Sequence, residues 1–560
     1  MKQFFTKFLL VGFAPLALYG QTIVSTTPEN RKAILEEFTG IHCVYCPQGH
    51  AIAEQIMEDN PGNAFAINIH QGGYAVPSAG QPDFRTPFGN AIAGQTGLTG
   101  YPSGTVNRHN FPGLEMGNSG TTAMGRGQWV TAANQIMALP SYLNMAVEAT
   151  IDVSTREITV HVESYYTGDS SESTNLLNVA LLQNNTKGPQ TGGNAGNNYN
   201  HMRRLVHMIT GQWGDEVSTT TSGSFVDRTY TYTIPADYND IPADISEMEV
   251  IVFMTETHQE IVSGNRAIPT YTGVSNANDL AVNSIEEIDD QCLDMIAPVI
   301  EIQNRGQDNI TSATIEYSIN GTTHTYNWSG NLSTYQKETV ELPEASYTLQ
   351  DINTVEITLS TDDDSSNNSV TTTFDTAVET TNVIRLRITT DAYGDEVGWN
   401  ITDSSGAIIE QGGPYGNNQQ YTIDIVLPSQ DCYTFNLMDA YGDGGGGVIL
   451  RDSNNAVIYG SSGNYGSGAS ASFQVGTLGV DDLDASMVSI YPNPSNGIIN
   501  ITTKSVNSSI EVFDVTGRKV YSTASDSTLS TIDLSTYGKG VFVIKVSDGK
   551  QVETKKVIIK

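Results

Sequence analysis

Apolar runs in this chain are short and closely punctuated. Segments such as Leu143–Asp152, Glu157–Glu163, Leu176–Gln183, Arg228–Ile234 and Met248–Thr255 alternate with clusters of Gly, Ser, Thr and Asn, and long helical periods are few. That punctuation specifies strands joined by turns. At 560 residues the chain is too long for one hydrophobic core, so about three to five units in series are expected. Lys and Arg total 27 against 62 Asp and Glu, a formal net charge of −35. Such a surface repels nucleic acid phosphates and anionic lipid headgroups, so no nucleic-acid partner is expected. The acids are dispersed and hydrophobic residues make up 38% of the chain, which fits folded units with a solvated acidic surface rather than disorder.

The first twenty residues read as a signal peptide. Lys2 and Lys7 give a positive start, Phe8–Leu18 is apolar but too short to span a bilayer, and Gly20 suits a cleavage that makes Gln21 the first mature residue. No later apolar run is long enough for a transmembrane segment. Residues 21–142 alternate strands and helices: strands at 33–40, 64–70 and 104–108, helices at 46–59, near Phe84–Ala93 and over 126–139. This is an α/β unit. Strand-type runs fill 143–274, 280–378 and 383–476, and a last unit covers 487–560. The Gly/Asn-rich gap at 184–200 reads as a flexible loop and lacks the ending of a phosphate loop. The Asp362–Asn368 run reads as a turn. The expected architecture is multidomain, an α/β head followed by several all-β units spaced like beads on a line.

The head contains Cys43-Val44-Tyr45-Cys46-Pro47 between a strand and a helix. A cysteine at a helix N-terminus gains from unpaired N–H groups and the helix dipole, which favour its thiolate. Cys43 is therefore the expected attacking thiolate and the more exposed of the two, with Cys46 one turn inside as the resolving thiol. A protonated His42 would strengthen this. Tyr101-Pro102 precedes a strand about sixty residues later, and a cis proline facing the cysteines is expected there if the head has the thioredoxin fold. A purely structural cysteine pair is the alternative; a zinc site lacks further ligands at suitable spacing. His70, His201 and His207 are assigned to no metal. Cys292 and Cys432 stand alone and read as buried small hydrophobes, a long-range bridge between them being the alternative.

Glu36-Glu37-Phe38-Thr39-Gly40, Cys43, Cys46-Pro47, Gly49-His50, Ile69-His70, Gly100–Gly104 and Asn107-Arg108, continued by Arg203-Arg204-Leu205 and Thr210–Gly214, resemble the Bacteroidetes outer-membrane-protein family named for its twenty-eight-kilodalton member. The resemblance covers about residues 30–270. It implies a thioredoxin-like domain joined to an Ig-like β domain, with a surface-adhesin role in some members.

Asp391-Ala392-Tyr393-Gly394-Asp395 recurs as Asp439-Ala440-Tyr441-Gly442-Asp443, each after a strand-type run. Asp oxygens and backbone carbonyls around a Gly turn can hold Ca²⁺, so Asp391, Asp395, Asp439 and Asp443 are the candidate ligands. The alternative is a repeated turn in which each Asp caps its own backbone. The segment also resembles a β module common in secreted Bacteroidetes proteins. Gly444–Gly447 stand where that module often carries cysteines.

Ser489-Ile490-Tyr491-Pro492-Asn493-Pro494, Ile510–Val520 and Gly540–Val546 read as a small β-sandwich with hairpin turns. They resemble the C-terminal sorting domain of type IX secretion substrates across 487–560. That implies recognition by the type IX machinery, passage across both membranes, and a secreted or surface-attached product. Two functions follow as expectations. One is thiol–disulfide exchange on a protein thiol substrate through Cys43, Cys46 and Pro102. The other is a cell-surface adhesin, binding a surface ligand without catalysis.

Overall fold

The first strand of the head, β1 (Ala33–Thr39), is buried along its whole length. Side chains of a strand alternate between faces. Ala33 and Leu35 accordingly enter one core, Ile34 and Phe38 another. In the computed structural model, which describes residues 22–560 apart from 193–197, 441, 443, 464, 477–487, 504–505 and 550–551, β1 pairs in parallel with β2 (Ala64–His70) and antiparallel with β3 (Ser103–Val106). β4 (Met124–Gly125) closes that edge. Helix α1 (Cys46–Asp59) crosses from β1 to β2, as the Ile52, Ile56 and Met57 spacing predicts. It packs with α3 (Trp129–Met137) on the Ala33/Leu35 face. The helix expected near Phe84–Ala93 is α2 (Gly89–Gly94). It starts late because Pro87 keeps the residue before it out of helical geometry. The helix expected over 126–139 opens as a 3₁₀ turn at Arg126–Gln128. The signal peptide expected at 1–20 lies outside the described residues.

The sheet does not end at residue 142. β5 (Leu143–Asp152) and β6 (Glu157–Tyr166) form a second layer, but β7 (Asn175–Gln183), a hairpin of β8 (Thr186–Gly188) with β9 (Tyr199–His201), and β10 (Arg204–Met208) lead back to the head. β10 lies beside β2 in parallel, β7 beside β10, and Met248–Glu256 and Glu260–Ala267 follow. One nine-stranded sheet thus serves both expected units. Side chains lock this junction. Arg108 donates from Nε and Nη2 to Glu36 at 2.7 and 2.6 Å and from Nη1 to His258 O at 3.0 Å. Asn107 accepts from Ile34 N and donates to Ile261 O. The ends of the 184–200 gap pair as the β8–β9 hairpin, and 193–197 lie outside the described residues.

The third unit sets a three-stranded sheet (Leu280–Ile285, Val299–Asn304, Lys337–Glu341) against a four-stranded one, around Ile300, Ile302, Ile315, Trp328 and Ile357. The Asp362–Asn368 run is a turn that also clasps: Asp362 accepts from Leu280 N and Asp363 from Ala277 N and Asn278 N. The fourth unit packs five strands on four around Trp399, Phe435 and Phe473. Cys292 and Cys432 are disulfide-bonded, Cα atoms 5.6 Å apart, so the two lone cysteines join the third unit to the fourth. Residues up to Val475 form one compact unit and Gly476–Lys560 another. The latter is a three-on-four sandwich around Ile499, Ile501, Val512, Ile544 and Val557. Its Asn493 donates to Lys556 O and accepts from Ile558 N, which ties the Tyr-Pro-Asn-Pro segment to the last strand. Among the described residues no helix is long and apolar enough to cross a membrane.

Candidate functional site

The turn after β1 brings Cys43 and Cys46 together as a disulfide with Cα atoms 5.4 Å apart. α1 begins at Cys46, with Pro47 in its first turn where a missing N–H costs nothing. Cys43 therefore precedes the helix in a turn closed by Cys46 N–H donating to Cys43 O at 3.1 Å. Cys43 is the more exposed of the two, as expected, but only at 3% against 0% for Cys46, so both are buried. The cause is a strap after β8. Gln190 Nε2 donates to Cys43 O at 3.0 Å and to Gly40 O at 3.3 Å, and Thr191 N–H donates to Ile41 O at 2.8 Å.

The Tyr101–Pro102 peptide is cis. Pro102 lies against the first turns of α1, at Gly49. A Cβ on Gly49 would stand 3.1 Å from Pro102 Cβ and 2.5 Å from Glu37 Oε1, so only glycine lets the helix settle onto that carboxyl. Glu37 is fully buried and neither oxygen has a hydrogen-bond partner among the described residues. Burial raises its pKa well above the ordinary carboxyl value, against the pull of Arg203. His50 Nε2 lies 3.8 Å from Glu37 Oε1 and 2.9 Å from Thr39 Oγ1, and its Nδ1 lies 2.8 Å from Tyr199 Oη. Burial lowers the His50 pKa to about 3 and that of His201 to about 4, and raises that of Tyr199 to about 12. His70, also buried and with its pKa lowered by burial, has no partner for either ring nitrogen among the described residues and meets His201 edge-on at 5.2 Å between ring centres.

The site therefore has a disulfide, a strap over it, a buried carboxyl whose pKa burial raises, and three buried imidazoles whose pKa values burial lowers. The sequence names the cysteines and Pro102 as site residues, carries Glu37, Thr39, His50 and His70 in the family resemblance, and assigns them no role. The signal was partial: His50 follows Cys46 at i+4, on one helix face, and Glu37 and Thr39 share the alternation of Ala33 and Leu35. His201 joins the cluster only through the β8–β9 hairpin. His207 goes elsewhere and stacks on Tyr232 at 4.3 Å.

In the fourth unit Asp391 Oδ1 accepts from Tyr393 N–H at 2.8 Å and Asp439 Oδ1 from Gly442 N–H at 2.5 Å, each bracing its own turn. Asp395 is exposed, and Asp443 lies outside the described residues. Among the described residues, Asp391, Asp395 and Asp439 are not gathered into one cluster of potential ligands. The group that is gathered is His161, Glu163 and Asp227, within 4.8 Å of one another. There Glu163 Oε2 accepts from Ile23 and Val24 N–H at 2.6 and 3.0 Å, so that carboxylate anchors the N-terminal segment.

Residues 489–560 match the family model of the secretion system C-terminal sorting domain, and residues 89–272 that of outer membrane protein Omp28. The latter match begins beyond the cysteine pair. Similar solved structures include HBP35 of Porphyromonas gingivalis, at 16% identity over 62% of this chain and 98% of that one, TM-score 0.35. Another is a protein of Agrobacterium tumefaciens, at 12% identity over 42% and 94%, TM-score 0.26. A third is a domain of the outer membrane lipoprotein Omp28 from Porphyromonas gingivalis, at 15% identity over 24% and 91%, TM-score 0.17. At these TM-scores the likenesses carry no argument. No curated protein matches the chain. The sorting domain makes the chain a type IX secretion substrate, exported across both membranes to the cell surface.

Proposed function

We propose that this exported protein carries a thioredoxin-like head, followed by Ig-like and sandwich units, that exchanges disulfides through Cys43 and Cys46. The observation that carries the reading is the disulfide at the start of α1 with the buried Glu37 carboxyl packed against that helix at Gly49. In the exchange, a thiolate of a substrate dithiol attacks Cys43 Sγ and the Cys43–Cys46 bond breaks. Cys46 leaves as a thiolate and takes a proton, and the buried Glu37 carboxyl, its pKa raised by burial, is the candidate donor. The second substrate thiolate then attacks the mixed disulfide. The substrate departs as a disulfide, and Cys43 and Cys46 hold its two electrons and two protons. Insulin reduction by the full chain with an excess of small dithiol tests this. Turnover above that of the Cys43→Ser chain is expected, and equal rates would sink the reading.

Burial of both sulfurs favours a second reading, a surface adhesin whose Cys43–Cys46 bond is structural. Binding to host matrix or polysaccharide that survives Cys43→Ser with Cys46→Ser would support it. We also propose Ca²⁺ at the Asp391/Asp395 and Asp439/Asp443 turns, on the strength of their hard side-chain and backbone oxygens.

A further inference from the structure

Three backbones are stacked at the roof of the cysteine site. Val44, between the two cysteines, is lowest; Gly192 lies over it; Gly442 of the fourth unit lies over Gly192. A Cβ on Gly192 would stand 2.2 Å from Val44 O, and one on Gly442 would stand 2.9 Å from Gly192 Cα. Gly192 N–H donates to Gly442 O at 3.1 Å. Both glycines have left-handed φ, +77° and +82°. No side chain fits between the layers. The upper layer is positioned by Asp439, which is 4% exposed and accepts the Gly442 N–H. Ala440 N–H donates to Glu396 O, which ties the same turn to the first Asp-Ala-Tyr-Gly-Asp motif. The lower layer is positioned by the buried Gln190 amide.

A thiol exchanges with a disulfide only by reaching a sulfur along the S–S axis. Both cysteines are buried, and the backbone of Val44 between them lies under this roof. We propose that the Gln190–Gly192 strap and the turn carrying Asp439 and Gly442 form a two-layer cover that sets which reductants reach Cys43–Cys46. A small reductant reaches the sulfurs through short-range breathing of the strap. A protein dithiol, which must lay its own chain across the site, reacts only when the fourth-unit turn has lifted. One hydrogen bond and one close backbone contact join the two layers, so the upper turn limits wide opening of the strap and leaves its short-range breathing free. Asp439 acts through Gly442 and is a positioning residue.

The inference rests on the pair being exchangeable, and its test separates that reading from the cover itself. Reduction of Cys43–Cys46 in the full chain is followed by alkylation and peptide mapping, with a water-soluble phosphine and with a reduced thioredoxin as the two reductants. The phosphine leaves as its oxide, with oxygen from water; the thioredoxin dithiol leaves as a disulfide. Gly442→Ala and Asp439→Ala are expected to speed the thioredoxin reaction about ten-fold by populating the open form, while the phosphine rate changes by less than about two-fold. Asp439→Asn keeps the accepting Oδ1 and is expected to restore the wild-type ratio. Asp403→Ala, at a similar turn of the same unit where Asp403 accepts from Ser405 and Ala407 N–H, is expected to leave the ratio unchanged. Unchanged thioredoxin rates in Gly442→Ala and Asp439→Ala would overturn the cover. So would an equal acceleration with both reductants, or the same gain in Asp403→Ala. If the ratio shifts as expected and insulin is still not reduced, the exchange function fails and the cover stands.

Discussion

Cys43 and Cys46 are three residues apart, on a helix start backed by Glu37, His50, His70 and His201, several of whose polar atoms have no partner among the described residues. Cys292 and Cys432 are 140 residues apart, between cores of aliphatic and aromatic side chains, where buried acids such as Asp452 brace turns. Burying polar groups without partners costs stability. A fold tolerates that where the groups are kept for something other than holding it together. The short bridge stands in such a place; the long one stands where packing is already favourable and only the chain's freedom remains to be restrained.

Chain entropy makes the contrast measurable. Closing a loop of 140 residues restrains the unfolded state by about 5 kcal/mol, and closing one of three or four residues by about 2 kcal/mol. Cys292→Ser with Cys432→Ser should therefore speed hydrogen exchange in the third and fourth units far more than Cys43→Ser with Cys46→Ser speeds it in the head. The reverse order would break the comparison.

Calcium sharpens it next. If the Asp391/Asp395 and Asp439/Asp443 turns bind the ion only when folded, Ca²⁺ at a hundredfold its dissociation constant adds about 2.7 kcal/mol. Exchange of peptides over 383–475 in the full chain should slow in Ca²⁺ relative to chelator, and Asp439→Asn should shrink the difference. Identical exchange in both buffers would leave the Asp side chains as turn braces alone. The head peptides should not respond.

Per pH unit, acid gives the smallest effect, and it belongs to the head. His201, with a folded pKa of about 4 against 6.5, binds its proton in the unfolded chain first. Its contribution is thus present above pH 6.5 and is lost as pH falls from there to about 4, at about 1.4 kcal/mol per pH unit. His50 acts the same way over a wider window, down to about 3. Glu37 acts oppositely: its raised pKa favours the fold at low pH and the benefit is lost as pH rises above 4.5. His201→Gln should flatten the acid slope of head stability, read by exchange of peptides over 33–70, by about 1.4 kcal/mol per pH unit. An unaltered slope would mean that His201 is protonated in the fold.

Local patterns carried the elements. Ile52, Ile56 and Met57 at helical spacing behind Pro47 placed α1 at its observed ends, and the apolar run at 64–70 placed β2. The unity of the head with the strands after 142 was not legible. β10 meets β2 through Arg204 beside Asn68, and Asn107 and Arg108 reach Ile261 and His258, partners with no local trace in either segment. The same holds for the site. A C-x-x-C between strand and helix announces itself, but a roof made where Gly192 meets Gly442 does not. Glycines in a Gly/Asn-rich stretch read as slack until a second backbone is found lying on them.

The Cys292–Cys432 bond also has a mechanical meaning for a protein displayed at a cell surface. A pull transmitted along the chain from residue 292 to residue 432 passes through two sulfur atoms and skips everything between. At about 3.4 Å per extended residue, the 140 residues inside that loop represent about 480 Å of slack that tension cannot draw out. Drag on the surface would stretch or peel other parts of the protein first. Most of the third sandwich, inside the loop, would carry no load along its strands until that one covalent bond was reduced.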